Sequence, residues 1–421
     1  MKKTVFVRTF GCSANINNSE LMAGLLEKAG FEIIDSVKKA DCVVVNTCVV
    51  KGPTENKVIS EIKKIPKTKR LVVAGCMPLA EKGLLKELVP DASLIGCNVK
   101  DVVEAVKGSK RVEIFRRQIK LGLPKQNKSK LTGIIQISEG CNGDCAYCIV
   151  KLAKGKLVSY PQKKIVEEVE NSVKAGRREI WLTSQDCAAY GSGLAGLMKK
   201  VCSVRGDFKV RVGMMNPNNV LLILDELIDA YKDDKVFKFL HLPVQSGNDE
   251  ILRKMNRGYR AEDFRKVISV FRKNIPDITI STDIIAGFPG ETEKQFMDSL
   301  KLVKEVKPDV LNISRFWPRP GTKAAKMPGQ VNGRVTKERS KILTRIFEKA
   351  ALKKNRAWVK WRGQVLIDEK GKKGVVGRNF AYRPVVLAEP GPIGRKALVE
   401  VFDVTPHYFL AKKIALCDDI I

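Results

Sequence analysis

Cys141, Cys145 and Cys148 fall inside the stretch GCNGDCAYCIV with the spacing C-x3-C-x2-C. Thiols that close together on one short segment suit a metal centre, and the number of donors narrows the choice. Zinc in a structural site takes four protein ligands, usually Cys or His. The chain has two histidines, His241 and His407, and both lie far from the triplet in sequence. An iron–sulfur cluster can instead be held by three thiolates, leaving its fourth iron open to a small ligand. Cysteines that only fill a core need no fixed spacing. A second set is dispersed: Cys12, Cys48 and Cys76 close the segments RTFGC, VVNTC and VVAGC. Each stands at the C-terminal end of an expected strand, and parallel strands bring such ends together along one sheet edge. The three thiols are expected to converge on a second cluster.

These cysteines need elements to position them, and the hydrophobic pattern supplies candidates. Residues 1–106 alternate short apolar strands with helical periods: a strand in TVFVRTFGC, a helix from about Asn17 to Ala29, and strands in ADCVVVNTCVV and RLVVAGC, each followed by a helix. Such alternation predicts a parallel sheet with covering helices. The basic stretch 107–130 then reads as a linker. Residues 131–356 repeat the alternation with strands in GIIQIS, EIWLTS, KVRVGMM, FKFLHLPV, ITISTDIIAG and VLNISRF, and end in a charged helix from Lys337 to Arg356. Six βα units make a partial barrel, which places chemistry on the loops after the strands. Residues 357–421 turn all-β, like a small OB-type barrel, a frequent reader of single-stranded nucleic acid. The fold class is therefore α/β with an all-β barrel appended.

The composition bounds the partners. The 421 residues are 44% hydrophobic, which excludes global disorder, and the longest apolar runs, such as Val220–Leu224, are too short to span a bilayer. The opening MKKTVFVRTFGC lacks the apolar core of a signal peptide, so a cytoplasmic monomer with no membrane partner is expected. A net charge of +31, from 77 basic against 46 acidic residues, points to a polyanion such as nucleic acid.

The C-x3-C-x2-C triplet after the first strand of a partial barrel resembles the radical S-adenosylmethionine enzymes. That resemblance implies a methionine amine and carboxylate on the open iron, and an electron that cleaves the sulfonium to a 5′-deoxyadenosyl radical. Together with the three N-terminal cysteines and a C-terminal TRAM barrel, essentially the whole chain resembles the methylthiotransferases. Further matches are HLPVQSGND (His241–Asp249), MNRGY (Met255–Tyr259) and TDIIAGFPGET (Thr282–Thr292). CIVKLAKGKLVSYP and GRNFAYRPVV look most like the archaeal and eukaryotic threonylcarbamoyladenosine branch, which converts the modified adenosine beside the tRNA anticodon to its 2-methylthio form. Asn18 and Cys187 depart from the family pattern, where Asp and Thr are usual. The resemblance implies two [4Fe–4S] clusters, with the one at Cys12, Cys48 and Cys76 holding the sulfur. It also implies S-adenosylmethionine as both radical source and methyl donor, tRNA as substrate, and an external low-potential electron donor. Relatives acting on isopentenyladenosine, or on a ribosomal-protein aspartate, share this architecture. A non-catalytic iron–sulfur RNA-binding protein is the alternative from another class.

Single residues carry finer expectations. Tyr147 is placed over the cluster or in the core. Gln185, Gln245 and Ser246 follow barrel strands, where they could meet the cofactor's methionine or ribose. Gly287 and Gly290 allow close approach of backbone to a ligand. Arg257 and Arg315 could pair with a carboxylate or phosphate. Arg378, Asn379, Phe380 and Tyr382 combine a guanidinium with aromatic faces, as stacking on RNA bases requires. His241 is expected to be a satisfied histidine at a strand end. Cys42, Cys97, Cys187, Cys202 and Cys417 read as core.

Overall fold

The computed structural model describes residues 2–108 and 110–417. They form two compact units, the first holding the described residues up to 171 with 182–185 and 317–326, the second the other described residues. In the first unit six parallel strands make one sheet: β1 (Thr4–Thr9), β2 (Glu32–Ile33), β3 (Cys42–Thr47), β4 (Arg70–Gly75), β5 (Ser93–Ile95) and β6 (Glu113–Ile114), ordered β2-β1-β3-β4-β5-β6. Successive side chains of a strand point to opposite faces. Cys42 and Val44 therefore join one core with Leu21, Leu26, Val72 and Val102, while Val43 and Val45 join another with Val58, Ile62, Val73 and Leu85. Both faces are covered by helices, which is why the strands read as unbroken apolar runs.

The helix Ser13–Lys28 starts before the expected Asn17. Its first turns carry Asn15, Asn17, Asn18, Ser19 and Glu20, all buried, and an apolar period does not register them. They hold the sheet edge by hydrogen bonds instead. Asn15 Nδ2 donates to Phe10 O at 2.7 Å and to Thr47 O at 2.9 Å. Asn46 Nδ2 donates to Asn15 O at 2.8 Å and to Ser19 Oγ at 2.9 Å.

Part of the basic stretch 107–130 runs along that helix. A Cβ on Gly24 would meet the Pro124 carbonyl at 2.5 Å, and Gln126 N donates to Glu20 O at 2.9 Å. Lys120 is buried here, so not all of this charge faces solvent.

The six strands expected between 131 and 330 are Thr132–Gln136, Glu179–Thr183, Lys209–Val212, Phe239–His241, Thr279–Ala286 and Val310–Arg315. Within the second unit the last three pair in parallel. The helix Ala261–Asn274 buries Phe264, Val267, Ile268 and Phe271, the apolar stripe of its 3.6-residue period. The helix Gly333–Asn355 leads to a closed barrel of Arg362–Lys370, Val375–Arg378, Pro384–Leu387, Lys396–Val404 and Phe409–Leu416. Alternate residues such as Val365, Ile367, Val399 and Val401 fill its interior. Residues 418–421 of the expected C-terminal segment lie outside the described residues. Among the described residues no helix is long and apolar enough to cross a membrane.

Candidate iron–sulfur sites

Both cysteine triplets belong to the first unit. Strands β1, β3, β4 and β5 are neighbours in its sheet, and their C-terminal ends lead to Cys12, Cys48, Cys76 and Cys97 in turn. The loop before Cys12 comes close to Cys48: a Cβ on Gly11 would lie 2.8 Å from Cys48 Cβ and 3.1 Å from its Sγ. Cys48 and Cys76 are buried, whereas Cys12 is exposed. Burial pushes the Cys48 thiol up, with the neighbouring Cys12 adding to it and Lys154 and Arg319 opposing. Cys76 and Cys97 share a hydrogen bond that makes Cys97 the more acidic of the two. Cys97, read from sequence as core, is indeed buried, but it sits beside a proposed ligand.

The second triplet is gathered by a tight loop between the strand segment Ser138–Glu139 and the helix Val150–Lys154. Gly143 N donates to Cys141 Sγ at 3.3 Å, and a Cβ on Gly143 would stand 3.3 Å from that sulfur and 3.8 Å from Cys145 Sγ. Cys148 lies beside both: burial, reinforced by Cys145 and Cys141, lifts its thiol to about 11. Tyr147 is half-buried. Gln185, expected on the cofactor, reaches the loop itself, where its Oε1 accepts from Gly140 N at 2.8 Å. Asp144 is paired with Lys151 and Lys323 at 3.2 and 2.6 Å.

Among the described residues no group of three or more His, Cys, Asp or Glu is set to hold a single metal ion. A four-iron cluster makes a different demand. Each of its thiolates binds a separate iron, so the sulfurs surround a volume rather than a point. Three thiols facing one another around a Gly-lined loop fit that demand.

Several expected contacts in the second unit are taken up internally. Ser246 is fully buried and its Oγ accepts from Asn248 N at 3.2 Å. The Gln245 backbone, at φ 71°, bridges to Asp283 O and Ile285 N. A Cβ on Gly287 would meet the Thr336 methyl at 2.1 Å, so this glycine admits a helix there. Gly290 N donates to Gly329 O at 2.8 Å. Arg257 is spent on Asn216 and Tyr259, whereas Arg315 is exposed. His241 does have a carboxylate partner, Asp283 at 3.3 Å, which lies on a neighbouring strand.

The side chains of the expected RNA-stacking loop make internal contacts. Asn379 is buried and its Oδ1 accepts from Ala381 N and Arg383 N, closing its own turn. The Tyr382 ring packs at 4.8 Å from Phe237 and 5.2 Å from Phe239, with the Arg211 guanidinium 5.1 Å from its centre. Arg378 pairs with Asp368 at 2.9 Å, and Phe380 packs beside Trp358 and Trp361. Asn379 is thus committed to its own turn, while Arg378, Phe380 and Tyr382 are half-buried. Exposed aromatics of this barrel are Phe402 and Tyr408, with Lys412 Nζ 5.8 Å from the Phe402 ring.

Two buried ion clusters were not legible in the sequence. Glu139 Oε1 accepts from Lys120 Nζ at 2.7 Å and Lys154 Nζ at 3.0 Å. Burial works against the Glu139 carboxylate, but the two ammonium groups outweigh it and hold its pKa down to about 2. Arg319 pairs with Glu55, and with Glu81 at 2.6 Å. No spacing signal joins these residues, and on a single sequence each looks like an ordinary surface charge.

The fold and the cysteine loop define a protein of the radical S-adenosylmethionine class. The sequence profile of the Radical SAM superfamily matches residues 135–303, and that of "Uncharacterized protein family UPF0004" matches residues 4–96. The radical S-adenosylmethionine methyltransferase TsrM of Kitasatospora setae shares the fold, with a TM-score of 0.58 over 77% of each chain at 15% identity. A Pyrococcus horikoshii protein, "Probable threonylcarbamoyladenosine tRNA methylthiotransferase", is 42% identical over 93% of this chain and 94% of its own. The human threonylcarbamoyladenosine tRNA methylthiotransferase is 36% identical over 98% of this chain and 74% of its own. The chain belongs to the threonylcarbamoyladenosine tRNA methylthiotransferase family.

Proposed function

We propose that this protein converts N6-threonylcarbamoyladenosine beside the tRNA anticodon to its 2-methylthio derivative. The observation that carries the reading is the pair of triplets in one compact unit, Cys141, Cys145 and Cys148 on a loop and Cys12, Cys48 and Cys76 at the ends of adjacent strands. A protein that only generated a radical would have no use for the second set. The names of the relatives supply the substrate.

Cys141, Cys145 and Cys148 would hold one [4Fe–4S] cluster and Cys12, Cys48 and Cys76 a second. Bound S-adenosylmethionine, with an electron from an external low-potential donor, supplies the radical, and a further S-adenosylmethionine supplies the methyl group. The target carbon is an aromatic C–H with no acidic proton, so a base has nothing to remove. The chain's own task is to position and to exclude. Gln185 and Gly140 fix the entrance to the cysteine loop, and the buried polar turn of Asn15 and Asn46 fixes the sheet edge. The net charge of +31 attracts the RNA, which the C-terminal barrel helps to hold. The protein acts as a monomer in the cytoplasm.

The test is paired. Purified protein is reconstituted and reduced anaerobically, then incubated with tRNA carrying the threonylcarbamoyl group. Mass spectrometry follows both 5′-deoxyadenosine and the 2-methylthio nucleoside. Wild type should form both, and a folded Cys76→Ala variant should form only the first. Normal methylthio product from that variant would remove the second cluster from the reading.

A further inference from the structure

The dispersed triplet has a neighbour that its proposed ligands do not explain. Lys120 and Lys154 both rest on the single carboxylate of Glu139, with side chains only 1%, 2% and 12% exposed respectively. Two ammonium groups on one carboxylate leave one buried positive charge unmatched. An unmatched charge away from water is costly, and folded proteins keep one only against a compensating group. Other buried cations of this unit are matched: Arg319 by Glu55 and Glu81, and Lys125 by Glu20 at 3.2 Å. Among the described residues Lys120 finds in addition only the neutral Asn18 Oδ1, at 3.3 Å.

Lys154 also stands near sulfur. Besides Glu139, its ammonium lies within electrostatic reach of the thiols of Cys97, Cys76 and Cys12. The placement is rigid. Ile149 and Ala153, on and before the helix Val150–Lys154, share a core with Cys76, Met77 and Cys97, and Cys97 Sγ lies 3.8 Å from Ala153 O. The helix that leaves one cysteine triplet thus carries a cation to the other.

We propose that Lys154, braced by Glu139 and Lys120, is a positioning residue of the dispersed cysteine site: its ammonium is the counter-charge that retains anionic sulfur there and raises the reduction potential of the cluster held by Cys12, Cys48 and Cys76. The proposal rests on the second-cluster reading above. A fixed positive charge beside a cluster favours its reduced form, because net charge is one of the terms that set iron–sulfur potentials. The same charge favours hydrosulfide over neutral ligands.

The experiment uses the full chain with Cys141, Cys145 and Cys148 all replaced by Ala, so that one cluster remains. Its midpoint potential and its titration with sodium hydrosulfide are followed by electron paramagnetic resonance. Lys154→Met should lower the potential and weaken hydrosulfide binding about tenfold, the effect of ~1.4 kcal/mol. Lys154→Arg should restore most of both. Glu139→Gln, which leaves the ammonium groups uncompensated, should move the potential the opposite way, a pattern that simple loss of packing does not produce. Unchanged potential and affinity across the variants would overturn the proposal. A cluster lost in Lys154→Met and regained in Lys154→Arg supports it, and one lost in both overturns it. A parent with no cluster at all removes the second-cluster reading itself, and this proposal falls with it.

Discussion

Gln185 Oε1 accepts a hydrogen bond from Gly140 N at 2.8 Å, so the residue after the second barrel strand holds the start of the cysteine loop. Replacing Gln185 with Leu leaves that N–H without its partner, at a cost of about 1–3 kcal/mol. None of the thiols is touched. Iron content should stay at the wild-type level while 5′-deoxyadenosine forms more slowly. Equal rates at equal iron content would show that the bond has no part in ordering the loop.

Gly140 itself has no tolerance for a side chain. Its φ is +86°, and a Cβ would lie 2.1 Å from Lys156 O. Gly140→Ala should displace Cys141 and lose the cluster of this loop, with iron falling to that of one cluster and the circular dichroism of the fold retained. A Gly140→Ala protein with full iron content and normal cleavage of S-adenosylmethionine would contradict this.

Glu81 gives the stability a pH dependence. Burial, reinforced by the Glu55 carboxylate and opposed by Arg319, lifts its carboxyl from 4.5 to about 7. The folded state therefore binds this proton more tightly than the unfolded chain does. The resulting contribution is fully present below about pH 4.5 and is lost as pH rises through about 7. Thermal melts of the wild type should show Tm declining across that interval, and Glu81→Gln should flatten the decline. An identical slope in the variant would assign the effect to other groups.

Tyr382 and Phe402 should separate stability from RNA affinity. Tyr382 is enclosed by Phe237, Phe239 and Arg211, so Tyr382→Ala should cost about 3–5 kcal/mol and lower Tm by several degrees. Phe402 is 50% exposed beside Lys412, so Phe402→Ala should leave Tm nearly unchanged and weaken tRNA binding. Lys412→Ala should reduce the salt dependence of binding by about 0.7 in log–log slope if it contacts one single-stranded phosphate. Melting curves and filter binding at several salt concentrations decide it. Wild-type affinity and salt slope in both surface variants would move the RNA elsewhere on the protein.

Much of the architecture was open to reading in the sequence, because it depends on short-range patterns. The C-x3-C-x2-C loop is local, and the alternation of apolar runs with helical periods marks the strands. Cys12, Cys48 and Cys76 could be grouped because strand direction alone puts the ends of parallel strands on one edge. Packing decided the rest. The same edge also receives Cys97, which sequence could not distinguish from an ordinary buried cysteine. Lys120, Glu139 and Lys154 look like solvent-facing charges in the sequence, yet in the fold Lys120 reaches the helix Ser13–Lys28 at Asn18 and all three meet in one largely buried cluster. Asn379 and Tyr382 have the composition of an RNA contact and the surroundings of a core. A sequence records which side chains are present and their local period. Whether a given charge or ring meets water, another side chain or a ligand depends on chain segments far away in sequence, and only the tertiary structure brings those together.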